Sequence, residues 1–440
     1  MCSFVGTNKQ VDNLEEANRF SKNRGPDATN VVVQNGFTLV HNLLSITGDF
    51  TTQPIMSKDE SIACLFNGEI YNYNSFGDFP SDGHCILSLY QDSGEQSIKQ
   101  LDGEFAIVIL DFKKDKIIFA TDPFATKPLW CAQDRGDIGF ASYESSLKSI
   151  GFSNIVKVPA NTIFSYRLSS LERLEKNSVY DFDINQHKTH YEDWSAAFIK
   201  SLDKRTANTR ESVFIGLSGG YDSGAIAAGL ESLGVSYRAY TIPGAENSDT
   251  ISKRKKIVTD MKILDITPDQ FYFEKDFLSK ECEDFYHNGK PAARTDKASA
   301  GLSLICREAR QENFKIYLSG QGADEITSDY GYNGRKIYNH SQFGGKFPQD
   351  LGTIFPWRSF YGGTQQKYLG KEECVAGSHG VETRYPFLDK QLVQEFLWLD
   401  HKLKNANYKA PIEFFLKKFH FPYIINEKVG FRPNHNFKRD

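Results

Sequence analysis

Long apolar runs, paired cysteines and an excess of one charge are all missing from this sequence. No stretch of about 18 or more apolar residues occurs, so no membrane span is predicted. The seven cysteines are scattered and include no C-x-x-C pair, which favours reduced thiols over disulfides or a zinc site and predicts a cytoplasmic protein. A net charge of -4 gives no reason to expect nucleic acid as a partner. The N-terminal residues show no basic segment followed by an apolar one, so we expect no secretory signal.

Two regions with different patterns divide the chain, whose 440 residues allow two or three domains. Residues 1–165 contain many short apolar runs, such as Phe105–Leu110 and Lys116–Ala120, which suggest stacked sheets. Residues 166–192 are polar and aperiodic and are predicted to be a linker. From residue 193 to 440 strands alternate with helices, which predicts an open parallel sheet with helices on both faces.

The second residue of the chain is a cysteine. Removal of Met1 would leave a thiol and a free amine on Cys2. An α-amino group titrates near ~7.7–8.0 and can accept the thiol proton at cellular pH, which makes such a residue a nucleophile that carries its own base. The alternative is a chance cysteine at a frayed terminus.

Two glycine-rich loops follow predicted buried strands. They are Ser218-Gly219-Gly220-Tyr221-Asp222-Ser223 and Ser319-Gly320-Gln321-Gly322-Ala323-Asp324-Glu325. Glycines let the backbone approach an anion closely, and the N-terminus of the following helix favours negative charge. In a parallel sheet, loops that follow neighbouring strands face one crevice. The two loops together predict ATP binding; the alternative is a pair of ordinary turns with acidic helix caps.

Short motifs occur in order along nearly the whole chain. In the first region they are Arg24-Gly25-Pro26-Asp27, Asn67-Gly68-Glu69-Ile70-Tyr71-Asn72, Ser81-Asp82, Leu101–Ala106 and Asp122–Trp130. In the second region they are the two glycine-rich loops, Gly380–Asp389, Lys409–Ile412 and residues 422–433. Together they resemble the glutamine-hydrolysing asparagine synthetase family. The resemblance implies an α+β N-terminal-nucleophile glutaminase domain of αββα architecture, followed by an α/β parallel-sheet ATP-pyrophosphatase domain.

The resemblance also implies a reaction, in which ATP, glutamine and aspartate give asparagine, glutamate, AMP and pyrophosphate. Cys2 would attack the side-chain carbonyl of glutamine, and the side chain of Asn67 and the N–H of Gly68 would stabilise the oxyanion. Glu69 and Asp82 would hold the amino end of glutamine. The released ammonia would travel through the interior to the second site.

At that second site, the resemblance implies that ATP and Mg²⁺ are used to adenylate the acceptor carboxylate. ATP-binding residues would be Leu217, Ser218, Gly219, Gly220, Asp222, Ser223, Ile242, Ser319 and Gly320. Asp222 and Asp324 would hold the magnesium ion, and Lys409 would neutralise charge on the phosphates. The acceptor pocket would include Gln321, Glu325, Glu382 and Arg384, with residues 294–299 nearby.

Two departures from the family pattern affect these expectations. Leu43 stands where the family has an arginine for the α-carboxylate of glutamine, so either Arg24 substitutes, or glutamine binds weakly, or ammonia is used directly. Gln321 replaces an acidic residue of the family motif, which removes a candidate general base and makes the assignment of aspartate as the acceptor less specific. By contrast, Glu372-Glu373 is predicted to be an ordinary solvated helix face.

Two alternatives to asparagine synthesis remain open. One is amidation by the same mechanism of another carboxylate, such as a uronic acid sugar or a natural-product intermediate. The other is a partly catalytic or non-catalytic relative that binds nucleotide or glutamine. The predicted partners are small molecules rather than nucleic acid or membrane, and a homodimer is left open as the assembly.

Overall fold

The computed structural model describes residues 2–244, 248–287, 290–291, 296–331 and 341–426. In chain order the strands are β1 (Ser3–Thr7), β2 (Ala28–Gln34), β3 (Phe37–Leu43), β4 (Ile55–Met56), β5 (Ile62–Ile70), β6 (Gly103–Asp111), β7 (Lys116–Thr121), β8 (Trp130–Asp134), β9 (Asp137–Ala141), β10 (Ile155–Lys157), β11 (Thr162–Arg167), β12 (Arg173–Asn177), β13 (Val213–Gly216), β14 (Tyr237–Thr241), β15 (Met261–Ile263), β16 (Tyr286–His287), β17 (Lys290–Pro291), β18 (Ile316–Leu318) and β19 (Glu382–Arg384).

The α-helices in the same order are α1 (Leu14–Ala17), α2 (Ser21–Arg24), α3 (His84–Ser93), α4 (Glu144–Ser149), α5 (Glu192–Thr206), α6 (Tyr221–Leu233), α7 (Ser248–Lys255), α8 (Pro268–Glu281), α9 (Lys297–Gln311), α10 (Ala323–Thr327), α11 (Arg358–Tyr361), α12 (Gly363–Gly377), α13 (Lys390–Trp398), α14 (His401–Lys404) and α15 (Ala410–Lys418).

The N-terminal region is built from two packed sheets, each of six strands. Their strand orders are β10-β8-β9-β1-β3-β2 and β12-β11-β7-β6-β5-β4, and the pairs within them are antiparallel. Between the sheets lies one apolar cluster, which joins Phe4 and Leu39 of the first sheet to Val108 and Phe119 of the second. Separate clusters pack α3 on the outer face of the second sheet and α4 on the outer face of the first. These layers confirm the predicted αββα architecture.

The C-terminal region contains the predicted parallel sheet, with strand order β15-β14-β13-β18-β19. Apolar clusters cover both faces: Ile215 of β13 belongs to one with α6 and α15, and Phe214 to the other with α9. The chain runs outward from β13 to β15, then returns to β18 on the other side of β13. The strand order therefore reverses between β13 and β18, which is where ligands bind in sheets of this kind.

Buried ion pairs connect the two regions. Arg205 of α5 donates from Nε to Oε1 of Glu104 in β6 at 2.8 Å, and its Nη1 lies 3.1 Å from Asp389. Nζ of Lys127 lies 3.4 Å from Glu104 and 3.1 Å from Glu373 of α12. Because breaking one partner of a buried pair leaves an uncompensated charge, these contacts hold the two regions in a defined arrangement.

The segment predicted as a linker, residues 166–192, includes a strand. β12 pairs with β11 at the edge of the second sheet, and four of its five residues are exposed. A strand with so little buried surface lacks the apolar alternation that would identify it in the sequence. The boundaries of the domains therefore stay a prediction.

The composition predicted reduced cysteines and no membrane span. All seven cysteines lie among them, and their thiols are free. Within the described ranges, none of the helices combines the length and apolar character that a bilayer crossing requires.

Candidate functional site

Cys2 immediately precedes β1 and borders a pocket at the N-terminal end of that strand. The pocket is lined by Cys2, Leu43, Leu44, Ser45, Ile46, Thr47, Asp49, Thr51, Gln53, Ile55, Phe66, Gly68, Glu69, Ser81, Asp82, Gly83 and Glu382. Four of the predicted glutaminase residues, Cys2, Gly68, Glu69 and Asp82, are thus brought together from segments far apart in the sequence. Glu382 comes from β19 of the parallel sheet, so this pocket is completed by the C-terminal region.

The thiol of Cys2 lies 3.9 Å from the carbonyl oxygen of Leu44, with which it makes a weak hydrogen bond. Burial raises the pKa of the Cys2 thiol to about 11, and the carboxylates of Glu382 and Asp82 act in the same direction. A thiol with this pKa is protonated at neutral pH and needs a nearby base to react. An α-amino group on the same residue would meet that need.

Asn67 and Gly68 lie next to the pocket in β5. The Asn67 side chain is fully buried, and neither of its amide atoms has a hydrogen-bond partner among the described residues. Leaving a buried polar group unpaired costs about 1–3 kcal/mol, so an unpaired amide calls for a ligand. Its neighbours in sequence, Phe66 and Gly68, line the pocket, whereas Asn67 itself is not among the lining residues. Gly68 has φ of 143°, and a Cβ there would lie 1.9 Å from the carbonyl oxygen of Glu104. Only glycine fits this position.

Acidic side chains dominate the charge of the Cys2 pocket. Glu69 accepts a hydrogen bond from Nη2 of Arg384 at 2.9 Å, and Nε of Arg384 donates to Glu382 at 2.7 Å. Burial raises the pKa of Glu69 well above its usual range and that of Asp82 to about 7. Although burial opposes it, Arg384 lowers the pKa of Glu382 to about 2. Glu382 is therefore ionised at neutral pH and Asp82 partly so, and this negative charge suits a cationic amino group.

No arginine or lysine is among the described residues that line this pocket. Leu43 lies in the wall and is 6% exposed. Arg24, which the sequence offered as a substitute, is fully buried, and its Nε donates to the carbonyl oxygen of Cys2 at 3.3 Å. Its Nη2 donates to Oε2 of Glu373 at 2.8 Å, and its Nη1 donates to Tyr143 at 3.1 Å. Arg24 is not among the residues that line the pocket, and its guanidinium already pairs with the buried carboxylate of Glu373. That Arg24 holds the glutamine carboxylate stays a prediction.

The first glycine-rich loop connects β13 to α6. Ser218 accepts a hydrogen bond from the N–H of Gly220 at 3.1 Å, and its hydroxyl lies 3.0 Å from that of Ser223. Gly220 is the N-cap of the 13-residue α6, so the loop leads directly into a helix N-terminus. Leu217 and Ile242 are buried at the ends of β13 and β14.

The second glycine-rich loop connects β18 to α10, next to the first. Ser319 accepts a hydrogen bond from the N–H of Gln321 at 3.1 Å, and a Cβ on Gly320 would lie 2.9 Å from Cβ of Asp222. Gly320 thus lets the two loops approach each other closely. The expectation that both loops face one crevice agrees with this contact.

Lys409 joins the two loops from the start of α15. Its ammonium donates to both carboxylate oxygens of Asp222 at 2.7 Å and lies 3.0 Å from Asp324. Tyr408 also donates to Asp324, at 3.2 Å. Burial disfavours the charge on Lys409, but Asp222 and Asp324 outweigh it and raise its pKa. Three residues that the sequence separates by almost 190 positions therefore meet at one point.

The four residues predicted for the acceptor pocket separate into two places. Gln321 and Glu325 are in the second loop, where Glu325 accepts from the N–H of Gly322 at 3.2 Å and also contacts Tyr330. Glu382 instead lines the Cys2 pocket, and Arg384 is buried against Glu69 and Glu382 without lining the pocket itself. Arg294 and Thr295, and residues 427–433 of the terminal motif, lie outside the described residues.

Sequence reasoning missed two charged residues near the loops. Arg254 of α7 is fully buried and donates to the carbonyl oxygens of Ser218, Gly220 and Pro422, the last two at 3.0 and 2.9 Å. The carboxylate of Glu372 in α12 accepts a hydrogen bond from Nε2 of Gln321 at 3.4 Å. Neither residue lies in a recognisable motif, and the prediction that Glu372-Glu373 is solvated is wrong, since both are buried.

Comparisons with known proteins agree with the geometry of both sites. The family described as "Glutamine amidotransferase domain" matches residues 1–191, and the family "Asparagine synthase" matches residues 193–371. The chain belongs to the glutamine-hydrolysing asparagine synthetase family. A putative asparagine synthetase of Methanocaldococcus jannaschii is 27% identical over 81% of this chain and 68% of its own. Asparagine synthetase 2 of Arabidopsis thaliana and a probable asparagine synthetase of Schizosaccharomyces pombe are each 27% identical over 92% of this chain, and over 72% and 77% of their own.

Proposed function

We propose that this chain is an ATP-dependent amide ligase of the asparagine synthetase type, which converts aspartate to asparagine through an acyl-adenylate. The observation that carries the proposal is the meeting of Lys409, Asp222 and Asp324 within 3.0 Å on loops that end neighbouring parallel strands. One buried cation between two carboxylates, next to a glycine-rich loop and a helix N-terminus, suits a triphosphate and a metal ion.

In the adenylation half-reaction, the acceptor carboxylate attacks the α-phosphorus of ATP and pyrophosphate leaves. Backbone N–H groups and hydroxyls of the first loop contact the phosphates, with Arg254 holding the carbonyl oxygens of that loop in place. Lys409 moves from its carboxylate partners to the departing pyrophosphate, whose charge it neutralises.

Mg²⁺ fits the residues at this point. Asp222 and Asp324 supply two carboxylates, and magnesium in such sites takes one or two carboxylates together with phosphate oxygens and water. The ion would neutralise phosphate charge during the displacement. Among the described residues, no group of three or more histidine, cysteine or acidic side chains forms a self-sufficient metal site, so phosphate oxygens would complete the shell.

In the glutaminase half-reaction, the α-amino group of Cys2, once Met1 is removed, takes the thiol proton. The sulfur attacks the side-chain carbonyl carbon of glutamine, and the amide of Asn67 and the N–H of Gly68 stabilise the oxyanion. Ammonia leaves, and water then releases glutamate from the thioester. Glu69 and Asp82 hold the amino group of the substrate.

Strand β19 connects the two sites. Glu382 at its first residue lines the Cys2 pocket, and the carbonyl oxygen of Arg384 at its last residue accepts from the N–H of Ser319 in the second loop at 2.9 Å. Only one short strand thus separates the nitrogen-donor pocket from the crevice. The seven free thiols support a reducing, cytoplasmic location, and assembly as a homodimer stays a prediction.

The test is pyrophosphate release by the purified chain with ATP, Mg²⁺ and ammonia, across a panel of carboxylates that includes aspartate, glutamate and uronic acids. We expect release that depends on aspartate, in equal amount to AMP and asparagine. Pyrophosphate release that depends on a different carboxylate, and not on aspartate, would change the proposed acceptor and leave the proposed mechanism unchanged. Absence of release with every carboxylate would contradict the ligase function.

A further inference from the structure

Glu372 is a buried acid that the proposed reaction has not yet used. It lies in the last half of α12 and is 7% exposed. Its Oε2 accepts a hydrogen bond from Nε2 of Gln321 at 3.4 Å, while its Oε1 has no hydrogen-bond partner among the described residues. Because Gln321 belongs to the second glycine-rich loop, the carboxylate of Glu372 lies beside that loop.

The surroundings of Glu372 make it a base at neutral pH. Burial raises the pKa of Glu372 to about 7, and the neighbouring charge of Glu373 raises it too, against the hydrogen bonds from Ser319 and Gln321 and the charge of Lys127. The other titratable groups that face it are Tyr317, Tyr385 and Cys306. A carboxylate that is about half ionised near pH 7 can both accept a proton and release it, which is the optimum for general acid–base catalysis.

Glu372 also lies between the two sites. Its neighbour in sequence, Glu373, belongs to the ion pairs with Arg24 and Lys127 that join the two regions. Gln321, its hydrogen-bond partner, lies in the loop that starts after Ser319, whose N–H is bonded to β19. Glu372 therefore lies beside the loop that β19 links to the Cys2 pocket.

We propose that Glu372 is the general base of amide formation, an inference that rests on the proposed function. The nitrogen of ammonia attacks the acyl carbon of the adenylate. As the C–N bond forms and the C–O bond to AMP breaks, one proton passes from the nitrogen to the Glu372 carboxylate, and AMP leaves as the anion. Gln321 cannot titrate, and it orients the carboxylate through its Nε2–H.

Two variants and their combination test this role: Glu372→Gln, Gln321→Glu and the double exchange. The exchange keeps one amide and one carboxylate in hydrogen-bond contact and leaves net charge unchanged, but moves the carboxylate to the loop. Glu172→Gln is the matched control, because it makes the same chemical change on a side chain that is 70% exposed. Thermal unfolding checks that every variant is folded.

Adenylation and amide formation are measured separately. ATP–pyrophosphate exchange without ammonia reports adenylation, and amide production with saturating ammonia reports the second step. In Glu372→Gln we expect amide production to fall by about 10²-fold or more, the scale of a lost general base, with exchange changed by less than about threefold. We expect the double exchange to produce amide at least about tenfold faster than Glu372→Gln alone. The pH dependence of amide production near pH 7 should disappear in Glu372→Gln.

Other outcomes contradict the assignment. Amide production by Glu372→Gln at the wild-type rate would overturn it, as would an equal loss of exchange and amide production, which indicates a structural role. If Glu372→Gln does not fold, the double exchange decides: an inactive but folded exchange variant would overturn the role. Absence of exchange in the wild-type chain with any carboxylate would instead overturn the proposed function, and this inference with it.

Discussion

Replacing Leu43 by arginine should convert a weak glutamine site into a stronger one. Leu43 lies in the wall of a pocket whose charged lining residues, within the described ranges, are the four acids Asp49, Glu69, Asp82 and Glu382. Glutamine brings a cationic amino group, which suits the ionised acids, and an α-carboxylate, for which the lining residues offer no cation. The wild-type chain should therefore prefer ammonia to glutamine as its nitrogen source.

The size of the effect follows from the missing contact. A hydrogen bond to a charged group contributes about 1.5–3 kcal/mol, which corresponds to roughly one to two decades in affinity. Arginine is always charged and binds a carboxylate with two parallel N–H groups. We expect Leu43→Arg to raise kcat/KM for glutamine by about 10–100-fold. Ammonia-dependent synthesis should stay unchanged, because it does not use this pocket.

The assay compares glutamine- and ammonia-dependent product formation for wild type, Leu43→Arg and Leu43→Met. Methionine has a similar volume to leucine and carries no charge, so it separates packing from electrostatics. The reasoning would be refuted by a wild-type chain that uses glutamine as efficiently as ammonia. A folded Leu43→Arg variant with no gain over Leu43→Met would refute it as well.

Four further predictions concern other residues. Cys2→Ala should abolish glutamine-dependent product and leave ammonia-dependent product nearly intact; equal loss of both would contradict the two-site scheme. Asp222→Asn and Asp324→Asn should each lower pyrophosphate release by about 10²-fold, and normal release in either would remove that residue from the metal site. Arg24→Ala should lower the free energy of unfolding by about 1.5–3 kcal/mol in denaturant titrations, because its buried acidic partner Glu373 loses a charged hydrogen bond and keeps Lys127; a loss under about 1 kcal/mol would argue against that pairing. Folding raises the pKa of Glu372 from 4.5 to about 7, so its contribution to the stability of the wild type falls as the pH rises through this range. Between pH 5 and 8, the free energy of unfolding of Glu372→Gln should therefore fall by about 1–3 kcal/mol less than that of the wild type; an equal fall in both would contradict the raised pKa.

The local motifs were predictable because each is a short segment with one physical requirement. Glycines and a serine after an apolar strand form an anion-binding turn wherever the strand and helix form. The β-like runs of the first region likewise predicted stacked sheets, and the strand–helix alternation of the second predicted a parallel sheet. Gly68 shows the same logic at one residue, since a strand that approaches Glu104 this closely admits no side chain.

The partners of buried charges were not predictable in the same way. Arg24 lies in a short motif of the glutaminase region, so the sequence suggested that it binds substrate. In the structure its carboxylate partner is Glu373, which lies 349 positions away in the sequence. Glu372-Glu373 has the pattern of a solvated helix face, and burial between two regions reverses that interpretation. Glu382 was placed with the acceptor because it lies in a synthetase motif, but β19 carries it to the Cys2 pocket.

The sequence by itself predicted stacked sheets followed by a parallel sheet, a nucleophile at Cys2 and two phosphate loops, because local spacing and apolar periodicity are properties of contiguous residues. Only the tertiary structure decided which charges meet. It paired Arg24 with Glu373, lined the glutamine pocket with acids and no basic side chain, and placed Glu372 beside Gln321. The physical reason is that the pairing and the pKa of a buried charge depend on groups that folding brings together from distant positions, and no local pattern records them.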